Sequence, residues 1–144
     1  MGMLGNWNGY YKYDNEKFQK LIGHEQTNFT ITIDSFENDI IKGSVVDDIK
    51  SGGMNGIGEI EGEVHKGHIY FEKRMPFETL VIDKKGTRKI TDKKHKPIIY
   101  QGELINNNVY KGTWEFNKVW GFIFGFIPIK YSPGKGTWEM KKEK

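Results

Sequence analysis

The sequence predicts an all-β chain folded as a single antiparallel up-and-down barrel of about ten strands. Three observations carry this expectation. The 144 residues contain no alanine, while 18 are glycine and 14% are aromatic. Ile, Val, Thr, Tyr, Phe and Trp, which suit a pleated half-buried surface, outnumber the helix formers Ala and Leu. Apolar and polar residues alternate with period two along most of the chain, the mark of strands with one buried face. An apolar–glycine–apolar triplet also recurs on one face of successive strands.

The alternation delimits ten candidate strands: Asn6–Tyr13, Asn28–Asp34, Ile40–Asp47, Ile57–His65, His68–Lys73, Glu78–Asp83, Pro97–Leu104, Val109–Phe116, Gly121–Ile127 and Lys135–Lys141. Most are joined by short turns. Lys66-Gly67 reads as a two-residue hairpin and Asn106–Asn108 as another tight turn, because Gly and Asn tolerate positive φ. Only Asp14–Thr27 is expected to carry a helical turn, with Asp14 as its N-cap.

Aligned by glycine, the strands share one form. Trp7-x-Gly9-x-Tyr11, Ile41-x-Gly43-x-Val45, Ile60-x-Gly62-x-Val64, Tyr100-x-Gly102-x-Leu104 and Tyr110-x-Gly112-x-Trp114 each put apolar, glycine, apolar on one face. Gly134-x-Gly136-x-Trp138 is a weaker sixth copy, and the tetrapeptide GTWE occurs in the last two, at Gly112–Glu115 and Gly136–Glu139. The opposite face carries Lys42, Ser44, Glu59, Glu61, Glu63, Gln101, Glu103, Lys111, Thr113, Glu115, Thr137 and Glu139. A sheet that closes on itself must coil sharply, and inward glycines let it do so without crowding the interior. A flattened two-sheet sandwich is the alternative; the glycine layer favours the barrel.

A chain of this length fits one domain, 1–144, able to bury roughly two-thirds of its unfolded surface. The absence of cysteine excludes disulfides and thiolate metal sites. The opening MGMLGNWNGYYKYD has no basic segment followed by an apolar run, so no signal peptide is read and a cytoplasmic location is expected. The longest uncharged apolar run, Val119–Ile129, has eleven residues, well short of the ~20 of a spanning helix. No transmembrane segment is expected.

Gly5-Asn6-Trp7 on the first strand resembles the Gly-x-Trp that opens lipocalin barrels. With the Gly43 and Gly62 strands and the two late Gly-Thr-Trp strands, it is also similar to avidin-type barrels. Both belong to the calycin-like group, small antiparallel barrels that bind ligands at one end, and small bacterial proteins with such barrels share the pattern. The resemblance implies a lipocalin/avidin-like fold and a mouth for a small molecule. The polar residues of a biotin site do not line up in this chain.

Strand parity names the candidate mouth. The first, third and fifth strands finish at one end, beside the Asp14–Thr27 and Asp48–Gly56 loops. Parity turns Asp47 inward after Ile41, Gly43 and Val45, and Lys73 inward after Ile69 and Phe71. Charges facing a barrel interior are costly unless paired or near water. Three readings stay open: strands that have already ended in solvent, a structural Asp47–Lys73 pair, or an anchor for a ligand's polar group. The ligand-binding candidates are Tyr11, Tyr13, Asp47, Lys73, Tyr110 and Trp114, with Tyr110 placed near the same end. The expected inward set is Trp7, Tyr11, Phe29, Phe71, Tyr100, Trp114, Phe122 and Trp138, and whether these fill the barrel or leave a cavity stays open at this level.

Catalytic patterns are poor. No serine sits in a Gly-x-Ser-x-Gly elbow. Glu59, Glu61 and Glu63 share an outward face, and His65 with His68 flanks a turn without a third metal ligand. Ser51–Gly58 lacks the Lys-Ser/Thr of a phosphate loop and leads into a strand. The basic run Asp83–Lys96, with seven Lys/Arg against two Asp, has no interleaved aromatics and is read as a solvated loop at the end opposite the mouth rather than a nucleic-acid site. In Val119–Ile129, Phe122, Phe124 and Phe126 take inward parity and leave Ile123, Ile127 and Ile129 facing out, which suggests a self-association surface. The expected function is therefore non-enzymatic binding of a small, partly apolar ligand, without metal or cofactor. The alternative is a filled barrel acting as an interaction or homodimer module through Val119–Ile129.

Overall fold

The computed structural model describes residues 2–77, 79–81, 88–90, 95–116, 119–123, 127–131 and 134–143. In chain order the elements are β1 (Gly5–Tyr13), α1 (Glu16–Ile22), β2 (Thr27–Glu37), β3 (Ile40–Asp47), a single 3₁₀ turn (Ile49–Ser51), β4 (Ile57–His65) and β5 (His68–Arg74). There follow β6 (Thr79–Val81), β7 (Arg88–Ile90), β8 (Ile98–Asn106), β9 (Val109–Phe116), β10 (Val119–Ile123), β11 (Ile127–Tyr131) and β12 (Lys135–Lys142).

Eight strands close into an antiparallel barrel in the order β1-β12-β9-β8-β5-β4-β3-β2. The expected count of about ten is corrected, because two of the alternating segments are not staves. β5 pairs directly with β8 through Lys73↔Ile98, and the described residues of the Glu78–Asp83 segment form β6, which pairs with β7. β9 pairs directly with β12, and the expected strand Gly121–Ile127 is divided between β10 and β11, which form their own hairpin. Phe122 is therefore not on a barrel stave, and Phe124 and Phe126 lie outside the described residues. Period-two alternation reports a strand with two unlike faces. It does not say which sheet the strand joins.

The six glycine triplets do line the interior, and close approach of neighbouring backbone explains why. A Cβ at Gly62 would overlap the Tyr70 carbonyl oxygen, and one at Gly112 would overlap that of Gln101. Gly9, Gly43 and Gly136 meet the carbonyls of Glu139, Thr32 and Lys12 in the same way. Each glycine is faced across the ladder by a bulky apolar residue: Gly9 by Phe29, Gly62 by Phe71, Gly102 by Ile69. The aromatic side chains cover the backbone that the glycines expose.

The two GTWE copies are the fullest case. They are partners, paired antiparallel about Thr113↔Thr137, so that Trp138 faces Gly112 and Trp114 faces Gly136. Each tryptophan covers the other copy's glycine. The indoles are also satisfied: Trp138 Nε1 donates to the Gln101 and Thr113 carbonyls at 3.1 and 3.0 Å, and Trp114 Nε1 to the Lys12 carbonyl at 3.1 Å.

The two ends of the barrel differ. At one end tight turns join β2–β3, β4–β5 and β8–β9, with positive φ at Asn38, Asp39, Lys66 and Gly67, as two-residue hairpins require. Met3 closes this end: its carbonyl accepts from Trp7 Nε1 at 2.9 Å, and its sulfur lies 3.7 Å from the Tyr110 hydroxyl. All four long connections, 14–26, 48–56, 75–97 and 117–134, leave and return at the other end. The basic run Asp83–Lys96 falls within the third of these connections, and its described end stands at the loop end and not opposite it, where the His95 N–H donates to the Met75 carbonyl at 3.2 Å. Counting Glu78–Asp83 as a stave reverses the direction of everything after it, which is the source of that misplacement. Only Arg88–Ile90, His95 and Lys96 of the run are among the described residues.

On the outer wall, Glu61 lies 3.4 Å from Lys42 and 3.7 Å from Arg74, and Arg74 meets Glu72 at 2.7 Å. His65 and His68 face each other across the β4–β5 hairpin, each beside its own carboxylate, Asp39 and Glu103.

Replacing Gly112 by Val is expected to lower unfolding free energy by about 2–3 kcal/mol or more, because the added carbons meet backbone that cannot yield. Thr137→Val, on the exposed face opposite, is expected to stay within about 0.5 kcal/mol of the parent. Urea denaturation of both variants measures the contrast.

Candidate functional site at the loop end of the barrel

Two short segments cover the loop end, and their local chemistry explains their shape. Asn15, not the expected Asp14, caps α1: its side-chain oxygen accepts from the Phe18 backbone N–H at 3.1 Å. Gly23 ends the helix with φ 82°, the left-handed conformation common after helices. Gln19 ties α1 to β1 by accepting from the Tyr13 N–H at 2.9 Å. The second segment, Asp48–Gly56, folds back over β2. Its Asp48 N–H donates to the Asn28 carbonyl at 2.8 Å, and its Ser51 carbonyl accepts from the Thr27 hydroxyl at 2.9 Å. Gly52 and Gly56, at φ 97° and 87°, let it reverse direction.

Beneath this loop lies a buried charge pair. Asp47, the last residue of β3, and Lys73, near the end of β5, are 2% and 1% exposed. Lys73 Nζ donates to Asp47 Oδ1 at 2.6 Å. The other carboxylate oxygen accepts from the Tyr11 hydroxyl at 3.0 Å and from the Met54 backbone N–H at 3.1 Å. Aromatic rings enclose the ammonium: Tyr11, Phe29 and Tyr100 have their centroids 4.8, 5.7 and 5.8 Å from Nζ. Ring faces carry negative potential and stabilise a desolvated cation. The charges do not end in solvent: they are buried and paired with one another.

Four of the other expected site residues divide between the ends. Tyr11 belongs to the cluster. Tyr13 and Trp114 adjoin it, with their rings 4.9 Å apart at 85° and Trp114 5.8 Å from Tyr11. Phe18 of α1 packs on Tyr13 at 4.5 Å. Tyr110 does not join them. It precedes Trp114 by four residues on the same face of β9, about 13 Å further down the barrel, and lies against Trp7 at the closed end. Phe29, Tyr100 and Met54 are the members not named from sequence. Phe29 and Tyr100 had inward parity, and Phe29 sits directly opposite Asp47. Met54 acts through its backbone, which leaves no trace in residue type.

The tyrosines respond to this setting. Burial above all, then the Asp47 charge, raises the Tyr11 and Tyr100 phenols well above the ordinary value of 10.0. Burial also raises Tyr110. Tyr11 donates to Asp47, whereas the Tyr100 hydroxyl, 2% exposed as a residue, makes no hydrogen bond to any described residue. Lys73 likewise uses one of its three N–H donors on an oxygen. Chemically the cluster can hold a polar atom.

Asp47→Ala is expected to cost about 3–5 kcal/mol by stranding a buried ammonium. The double replacement Asp47→Leu with Lys73→Met is expected to recover most of that loss, and denaturant titration of both reads the difference. Alkaline pH gives a second test. Because the phenols of Tyr11 and Tyr100 are raised in the folded state, the unfolded chain loses those protons first as pH passes 10. Their contribution is fully present below pH 10 and is lost as pH rises through the folded-state values. Stability measured up the alkaline limb should fall less steeply for Tyr11→Phe than for the parent.

No helix among the described residues is long and apolar enough to cross a membrane. No family model, curated protein or solved structure matches this chain, so its functional reading rests on the loop end of the barrel itself.

Proposed function

We propose that the protein binds a small, partly apolar molecule at the loop end of its barrel, without catalysing a reaction on it. In this reading the barrel is of the calycin kind, lipocalin- or avidin-like and bacterial. Tyr11, Tyr13, Asp47, Lys73 and Trp114 form the binding end, and Tyr110 supports the closed end. The observation that carries the reading is the Asp47–Lys73–Tyr11 cluster, buried in aromatic surroundings under a loop rather than under a strand. Binding sites of this type are mostly apolar, with a few placed polar groups. Met54 and Met75, 6% and 1% exposed, stand at the same end. Their unbranched, adaptable side chains suit a space that must repack around a guest.

A second reading is favoured by the middle of the barrel. Phe71, Tyr100 and Trp138 pack there with centroids 4.8 to 5.7 Å apart. A barrel filled in this way serves as a rigid platform, with partners or a second copy meeting it outside, at the β10–β11 segment within Val119–Ile129.

Native mass spectrometry of the purified protein, set against its denatured mass, separates the two. Binding predicts an added species that disappears on denaturation. The platform reading predicts a bare dimer that Ile123→Lys converts to monomer. A bare monomer that also shows no mass addition after incubation with medium-chain lipids would count against both.

A further inference from the structure

Resting on the binding reading above, we infer that the ligand is electrically neutral and presents a hydrogen-bond acceptor oxygen, as an alcohol, ketone or ester does, rather than a carboxylate.

The argument is one of charge and donor counting at the buried cluster. Lys73 is the cation enclosed there and Asp47 already neutralises it, Nζ to Oδ1 at 2.6 Å with both side chains at most 2% exposed. An anionic head group would place a second negative charge beside Asp47 in a low-dielectric site with one positive charge to share. Like charges at such distances repel strongly when water is excluded. Fatty acids and other carboxylates are therefore disfavoured by the pair itself. A neutral head group carries no such penalty.

The donors say what kind of neutral group fits. Asp47 already accepts three hydrogen bonds, from Lys73 on one oxygen and from Tyr11 and the Met54 N–H on the other, so little of its acceptor capacity is left for a ligand donor. The Tyr100 hydroxyl has no hydrogen-bond partner among the described residues, and Lys73 gives one N–H to an oxygen while its remaining N–H bonds face aromatic rings, a weaker kind of partner. The Tyr100 ring centroid lies 5.8 Å from Nζ, so the two belong to one neighbourhood. Buried polar groups left without partners each cost free energy. An acceptor oxygen on a guest satisfies both donors, with its alkyl portion among Phe29, Met54 and Met75.

The test uses a matched pair of probes, decanol and decanoate, titrated into the full-length protein near neutral pH by calorimetry or tryptophan fluorescence. Decanol is expected to bind at least about tenfold more tightly than decanoate. Tyr100→Phe, which keeps the ring, is expected to weaken decanol by several-fold. Asp47→Asn keeps the acceptor for Tyr11 and Met54 but removes the negative charge, and is expected to reverse the order in favour of decanoate. Should that variant fail to fold, judged by near-ultraviolet circular dichroism, the parent protein and Tyr100→Phe still decide. Equal or tighter binding of decanoate by the parent overturns this inference and leaves the binding reading standing. Decanol binding unaffected by Tyr100→Phe also overturns it. Binding of neither probe overturns the binding reading and the inference together.

Discussion

The contact on which the rest of this structure depends is that of backbone against backbone at the inward glycines. Where Gly62 meets the Tyr70 carbonyl, or Gly112 that of Gln101, there is no room for a β-carbon. That closeness lets eight short strands coil tightly enough to close. It also decides the core. Each stretch of bare backbone must be covered from the facing strand, so Phe29, Phe71, Trp114 and Trp138 stand opposite glycines and fill the interior they enclose. Removing one methyl group from six positions thus determines both the curvature of the wall and the size of the side chains within it.

Closure of the wall creates the asymmetry from which the functional reading follows. An even number of antiparallel staves sends every second connection to the same end. In this chain the tight turns fall at one end, while α1, the Asp48–Gly56 loop and two further excursions fall at the other. Met3 and Tyr110, both buried and in contact with each other, seal the first. The second is sealed by a loop whose hold on the barrel is partly polar, through Thr27, Asn28 and Asp47. Loops of this kind open at lower cost than strands. A buried ion pair is a poor source of stability by itself, so its presence at the loop-covered end and not at the sealed one is informative.

Much of this was legible from residue types. Inward parity picked out Trp7, Tyr11, Phe29, Phe71, Tyr100, Trp114 and Trp138, all of them buried, because period two is enforced wherever one face is wet and the other dry. The same parity turned Asp47 and Lys73 inward at a common end. The strand count was not legible from alternation. β6, β10 and β11 read as strands by residue type, yet β5 passes directly to β8 and β9 to β12. One signal for the second skip was present: GTWE reads as its own antiparallel mate, glycine against tryptophan in both directions. Tyr110 falls at the wrong end in the sequence reading because counting Glu78–Asp83 as a stave reverses β9, so that its first residues start at the mouth and not at the closed end. Met54 contributes a backbone N–H, which any residue but proline supplies, so no pattern in the sequence could have marked it.

The mutual pairing of the two GTWE segments has a consequence for the chain between them. Their register is set by two Gly–Trp contacts and the Thr113–Thr137 centre, all within β9 and β12. Nothing in that register refers to the length of the connection, and the entropy of closing a longer loop grows only slowly. The β10–β11 segment is therefore a replaceable cassette in a locked frame: it can lengthen, shorten or change its surface chemistry while the barrel beneath keeps its alignment. Novelty in such a protein has an obvious place to accumulate, at the same end as the buried charge pair.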